Sequence, residues 1–257
     1  MKQFRQVTCR KIAKTTLAFI LLLSLLLPSF SHAISMPTDD RGHDSSLPFT
    51  DVEPTDWFYE QVRHVFGQGL MTGTGNMTFS PGVRVTRAMA VQVLYNHSGN
   101  PGTAWIENPF ADVAEDAWYR DAVVWAASWG IVRGFGDGRF APGEYITRAH
   151  LVLILNNYTS VANLTLPLRR EAQPFVDSID IRDYAKEAID RFFRGMVIDG
   201  RPDGTFDPQG HATRAELATI LSRFVRYSEN ADVAPPVPPY GFLPPPPAPE
   251  YGFPYMD

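Results

Sequence analysis

Cysteine is almost missing from this 257-residue chain: Cys9 is its only one. No internal disulfide can form, and thiolate metal sites and cysteine nucleophiles are excluded. Lysine is scarce too, with Lys186 the only one after residue 14. No apolar run reaches the ~20 residues that a membrane-spanning helix requires. The longest, LAFILLLSLLL, covers residues 17–27. The sequence has no G-x-S-x-G, no H-E-x-x-H and no alternating acidic ligand loop for calcium. Its six histidines are scattered, which argues against zinc.

The apolar run has a function of its own. Lys2, Arg5, Arg10, Lys11 and Lys14 precede it, and Ser31-His32-Ala33 follows with small residues at the positions a signal peptidase inspects. Residues 1–33 therefore read as a signal peptide cleaved after Ala33. Its removal lowers the basic residues from 23 to 18 against 28 acidic ones, a net charge of −10. Such a chain is a poor partner for nucleic acid, and it keeps no integral membrane segment.

What is abundant is repetition. GNMTFSPGVRVTRAM (75–89), GDGRFAPGEYITRAH (136–150) and PDGTFDPQGHATRAE (202–216) each place a Phe seven residues and a Pro five residues before the Thr of T-R-A. Each unit opens with F-x-D (Phe49, Phe110 or Phe175). An aromatic then starts a first helix: Trp57, Trp118 or Tyr184. Apolar residues at helical spacing, such as Trp118, Ala122, Trp125, Ala126 and Trp129, predict one buried face. Gly69, Gly130 and Gly195, each before a hydrophobic residue, are predicted C-terminal caps. The D-G pairs at 137–138 and 203–204 mark turns, with Asn76-Met77 in their place in the first unit.

Thr86, Thr147 and Thr213 are predicted N-caps of second helices over roughly 86–97, 147–159 and 213–228. Only Thr213-Arg214-Ala215-Glu216 completes a capping box. The fold class is thus all-α: three helix-loop-helix repeats at 49–98, 109–160 and 174–228, after a linker at 34–48. A unit this small cannot bury its apolar face alone, so the three should share a core. The segment 229–257, with ten prolines and two Tyr-Gly-Phe copies, reads as a disordered tail. It is either a spacer or a docking segment for a protein partner.

F-x-D, the aromatic helix start, the glycine-hydrophobic helix end, D-G-x-F-x-P and T-R-A-E together resemble the S-layer homology (SLH) modules, over about residues 49–228. The resemblance implies a pseudo-threefold helical prism with the T-R-A helices at its centre and grooves between units. It also implies noncovalent attachment of exported proteins to the cell wall. The ligand it implies is a secondary cell-wall polysaccharide that often carries pyruvate ketals on N-acetylmannosamine. Departures from the family pattern fall at Met89 and His150 for glutamate, Tyr184 for Trp and Met77 for Gly. They put the equivalence of the three grooves in question.

Arg87, Arg148 and Arg214 sit in the first turn of their helices, where unpaired N–H groups and the helix dipole favour an anion. A guanidinium there suits a ligand carboxylate. Alternatively the arginines pair internally with Asp51, Asp112 and Asp177, and both hold if the aspartates orient them. On this reading, replacing all three arginines with alanine abolishes wall binding and leaves helicity intact. Trp57, Trp118 and Tyr184 suit core packing better than groove walls. No catalytic residue and no cofactor is assigned. The competing functions are a peptidoglycan-linked polymer as ligand, a protein-binding helical scaffold and, last, a wall-associated glycoside hydrolase using carboxylates such as Asp112 and Asp116.

Overall fold

The computed structural model describes residues 47–230. The signal peptide, most of the 34–48 linker and the proline-rich segment from 231 lie outside the described residues. Six α-helices carry the fold: α1 (Tyr59–Gly67), α2 (Arg87–His97), α3 (Arg120–Ser128), α4 (Arg148–Val161), α5 (Asp183–Arg194) and α6 (Arg214–Asn230). A 3-10 turn, Ser178–Asp180, precedes α5. The all-α expectation is met, and α6 continues into the first residues of the predicted tail.

The helices do not pair within their own units. α3 packs on α2, α5 on α4, and α1 closes the circle on α6. Each first helix thus lies against the second helix of the preceding unit, so the repeats interlock instead of stacking as separate hairpins. α5 shows the sequence logic of this packing. Ala185, Ala188, Ile189, Phe192 and Phe193 form its buried stripe, while Asp183 and Lys186 pair at 2.7 Å on its outer side.

α2, α4 and α6 surround the pseudo-threefold axis. Leu94, Leu155 and Leu221 are equivalent and buried. One layer further, the rings of His97, Tyr158 and Phe224 meet at 5.6–6.0 Å, and the Tyr158 hydroxyl lies 2.7 Å from His97 Nδ1. At the other end the backbone closes a triangle. Val85 donates to Ala212 O (2.8 Å), Ala212 to Ile146 O (3.3 Å) and Ile146 to Val85 O (2.9 Å).

The first helices end in one way. Leu70, Ile131 and Val197 N–H return to Val65, Ala126 and Phe192 O, the longer bond of a Schellman motif. The left-handed residue is Gly69 (φ 68°) in the first unit and Gly130 (φ 68°) in the second, but Met196 (φ 62°) in the third. This corrects the expected cap: Gly195 is one residue early and sits at φ −73°. A β-carbon at Gly195 would lie 3.5 Å from Leu166, the linker residue that packs there. That linker also satisfies the helix end, with Arg169 N–H donating to Arg194 O (2.8 Å).

Met196 is 47% exposed, so it adds little packing to offset its backbone strain. Met196→Gly is expected to stabilise the domain by about 1 kcal/mol, raising Tm by about 2–4 °C in a thermal melt. An unchanged or lower Tm would mean that the Met side chain contributes more than its exposure suggests.

Candidate functional site: the boundaries between the units

Each F-x-D aspartate is a loop clamp. Asp51 accepts the N–H groups of Phe79 (2.7 Å) and Ser80 (2.8 Å). Asp112 accepts those of Phe140 (2.8 Å) and Ala141 (2.7 Å). Asp177 accepts those of Phe206 (2.8 Å) and Asp207 (2.7 Å). The second residue of each pair is left-handed, with φ of 58° at Ser80, 57° at Ala141 and 56° at Asp207, and a proline follows each one. That conformation is costly for a residue with a β-carbon, and a charged acceptor on two successive amides holds it in place.

The clamp aims a carbonyl at the neighbouring unit. Arg87 Nε donates to Phe140 O (2.9 Å), Arg148 Nε to Phe206 O (2.8 Å) and Arg214 Nε to Phe79 O (2.8 Å). Their Nη2 atoms reach Arg133 O (3.1 Å), Asp199 O (3.3 Å) and Thr72 O (2.7 Å). Each guanidinium also lies over the Phe ring, at 4.7, 5.0 and 4.6 Å for Arg87, Arg148 and Arg214. All three arginines are buried, and that burial pulls their pKa values down from the ordinary range. Among the described residues no arginine of this set bonds a clamp aspartate directly. Asp112, Asp177 and Asp51 act one step removed, on the loops that serve Arg87, Arg148 and Arg214.

The helix N-termini are also occupied. Arg87 N–H donates to Glu144 O (2.8 Å), Ala88 N–H to Pro142 O (3.1 Å) and Met89 N–H to Thr86 Oγ1 (3.3 Å). The other two units repeat this pattern. The free N–H groups expected beside each arginine are therefore used inside the fold. Arg148 Nη1 is taken by Glu216 Oε1 (2.9 Å), so the remaining donor capacity toward an anion lies at Nη1 of Arg87 and Arg214 and at the second hydrogen of each Nη2.

Trp57 and Trp118 are 64% and 62% exposed, against the expectation of core packing. Their helices begin later, at Tyr59 and Arg120. The next aromatics, Phe58 and Tyr119, pack on the core, and each Trp lies edge-on to its neighbour at 5.2 or 5.1 Å. Tyr184 is half-buried and packs on the core. Its hydroxyl lies 3.4 Å from His150 Nε2, with the two rings stacked at 6.3 Å. Burial first, then the charge of Arg87, pushes His150 down to about 4, so the ring is neutral at neutral pH.

A cleft of about 290 Å³ joins Trp57 to the third unit's loop and to Arg148, Arg201, Glu216 and Arg223. Arg201 and Arg223 were not singled out by the sequence, and Glu216 was read there only as a capping residue. Glu216 Oε1 accepts from Arg148 Nη1 (2.9 Å), and Arg201 pairs with Asp207 at 2.7 Å. Asp199 lies between Arg170 (3.0 Å) and Arg223 (2.5 Å). Sequence reading also missed Gly73, Gly134 and Gly200. Each stands six residues before the loop Phe, and a β-carbon there would strike both a loop carbonyl and the F-x-D phenylalanine.

A family model described as the S-layer homology domain matches residues 48–90, 109–152 and 194–218. The third match begins after most of α5, in the unit where Tyr184 replaces Trp and the helix cap is shifted. An endoglucanase of Bacillus sp. (strain KSM-635) is 29% identical over 212 residues, covering 82% of this chain and 22% of that protein. The surface-layer 125 kDa protein of Lysinibacillus sphaericus is 28% identical over 181 residues, 69% of this chain and 14% of that protein. The cellulosome-anchoring protein of Acetivibrio thermocellus is 25% identical over 131 residues, 49% of this chain and 29% of that protein. The chain thus spans less than a third of the length of each of these relatives.

Proposed function

We propose that this chain, which is built of S-layer homology domains, is exported and held noncovalently at the cell surface by an anionic, pyruvylated secondary cell-wall polysaccharide, without catalysing a reaction. One observation carries the reading. Trp57 stands exposed in a cleft whose wall includes the buried cation Arg148. A sugar ring has apolar C–H faces that stack on an indole, and a ketal carboxylate is the group a buried guanidinium nitrogen would receive. The cleft at Trp57 has room for about one or two sugar residues by its volume. Attachment also agrees with the printed names of the surface-layer and cellulosome-anchoring relatives.

The test is cosedimentation of the exported chain with cell-wall sacculi, before and after chemical removal of the secondary polymer. Pelleting should disappear on stripping and be competed by a soluble pyruvate-ketal saccharide. Trp57→Ala should weaken it at least tenfold without lowering Tm, because the ring is exposed. Pelleting that survives stripping would move the ligand to peptidoglycan. No pelleting from intact sacculi would overturn wall attachment.

A further inference from the structure

A third tryptophan is exposed, and it belongs to no repeat unit. Trp105 is 62% exposed and lies in the 98–108 linker between the first two units. A segment that only connects two helices needs neither a large aromatic nor a fixed shape. This one has both. Tyr95 of α2 donates its hydroxyl hydrogen to Pro101 O (2.7 Å), and Ile106 N–H closes a turn onto Thr103 O (2.9 Å). Thr103 is buried, and its hydroxyl donates to Asp121 Oδ1 in the first turn of α3 (2.5 Å). Beyond the turn, Asn108 donates to Val113 O (2.7 Å). Trp105 is the third residue of a turn that is thus fastened to both α2 and α3.

The turn also sets the position of the indole. A β-carbon at Gly102 would meet its Cη2 and Cζ3 at 3.4 and 3.5 Å, so the glycine lets the ring lie close against the chain. A polar cluster gathers at Thr103, two residues away. Arg120 donates to Glu115 Oε2 (3.0 Å), to Asp121 Oδ1 (2.9 Å) and, more weakly, to Thr103 Oγ1 (3.4 Å). The Arg120 side chain is 16% exposed, against 72% for Glu115 and 57% for Asp121. The cation is therefore the covered member, and two carboxylates face water around it. Such a cluster repels a further anion and offers oxygens that accept from hydroxyl groups.

We infer that Trp105 is a saccharide platform outside the unit boundaries: an uncharged sugar ring of the wall glycan stacks on its indole while the sugar's hydroxyls donate to Glu115 and Asp121. A pyranose has an apolar C–H face that suits an indole, and Trp supplies a wide, rigid surface with few torsions to freeze. Fastening the turn beforehand removes most of the ordering cost of binding. A protein partner would favour an aromatic anchor set in a wider apolar patch, whereas α3 presents charges beside this turn. The inference rests on wall attachment as read above, but it concerns a neutral sugar and not the ketal carboxylate.

Titration calorimetry of the exported chain tests this, with an uncharged tetrasaccharide of N-acetylglucosamine as probe. The parent for comparison carries Trp57→Ala and Trp118→Ala, so that a sugar at either of those exposed rings cannot stand in for one at Trp105. Adding Trp105→Ala should weaken binding roughly tenfold at unchanged Tm, and Trp105→Phe, which keeps a ring, should restore most of it. Equal affinity with and without Trp105, or no binding by the parent, would overturn the platform. Neither result touches attachment through the pyruvylated polymer, which the stripping experiment reads separately. Trp105→Ala in the wild-type chain should also weaken pelleting with sacculi, equally before and after protease treatment. A loss confined to sacculi that keep their proteins would make the occupant a protein and overturn the saccharide assignment.

Discussion

Replacing Arg87, Arg148 and Arg214 together with alanine is expected to unfold the domain, not merely to release it from the wall. Each arginine holds two carbonyls of a neighbouring loop from a buried position. Hydrogen bonds to a charged group contribute roughly 1.5–3 kcal/mol each, and truncation leaves the carbonyls buried without a partner. A loss of roughly 3–6 kcal/mol per site follows, roughly 9–18 kcal/mol for the three. That equals most or all of the 5–15 kcal/mol that stabilises an ordinary domain. Because the three bonds close a circle, no unit keeps an intact boundary.

Far-UV circular dichroism with urea unfolding gives the readout. A cooperative transition near the wild-type midpoint in the triple variant would show that the staples carry little stability. Each single Arg→Lys change should cost less than Arg→Ala, since an ammonium keeps the charge but cannot span both carbonyls. The expectation that helicity survives the triple change assumed arginines free to face a ligand. The structure gives them a prior structural role, so loss of wall binding in an unfolded variant would say nothing about the ligand.

The local parts of the fold were legible because each depends on a few neighbouring residues. The threonine caps, the Glu216 capping box and the start of every second helix follow from side chains within three residues of one another. Hydrophobic spacing showed that α5 buries a stripe, but not that the stripe faces α4 instead of its own partner α6. The same limit explains Trp57 and Trp118. An aromatic pair at a helix start must bury one ring, and which one depends on where the helix begins, a boundary one or two residues uncertain. Arg87 fails differently. The dipole argument for an anion site assumes unpaired N–H groups, and these are capped by Glu144 and Pro142 from the next unit, more than fifty residues along the chain. Gly195 drew the cap prediction because glycine is the usual left-handed residue. Here it sits at an ordinary helical φ, and a β-carbon would be tight only against Arg191 O of its own helix, at 3.2 Å.

Gly134→Ala should be among the costliest single methyl additions in the domain. It stands in the sequence beside two other glycines, Gly136 and Gly138, and nothing local distinguishes the three. In the structure its missing β-carbon would lie 2.4 Å from Arg139 O and 2.7 Å from Phe110 Cε1. Neither neighbour can give way. Phe110 packs against Phe140 at 5.4 Å, and Arg139 O already accepts Phe135 N–H at 2.9 Å. The backbone must move, at a cost of roughly 3 kcal/mol or more, the upper end for overpacked sites.

Gly138→Ala makes the comparison informative, because that position is open but left-handed at φ 81°. It should cost about 1 kcal/mol, from backbone strain alone. Gly143→Ala, with neither obstacle, should be neutral or slightly stabilising. Urea unfolding of the three variants separates the causes by their rank. Equal losses at Gly134 and Gly138 would mean that the loop relaxes around the methyl group. The consequence of Gly134→Ala extends to ligand binding, since the residue before Gly134 is Arg133, whose carbonyl holds Arg87 Nη2. A displaced loop loses that acceptor and releases one end of the Arg87 guanidinium. The variant should therefore also weaken pelleting with sacculi, beyond what its loss of stability alone removes.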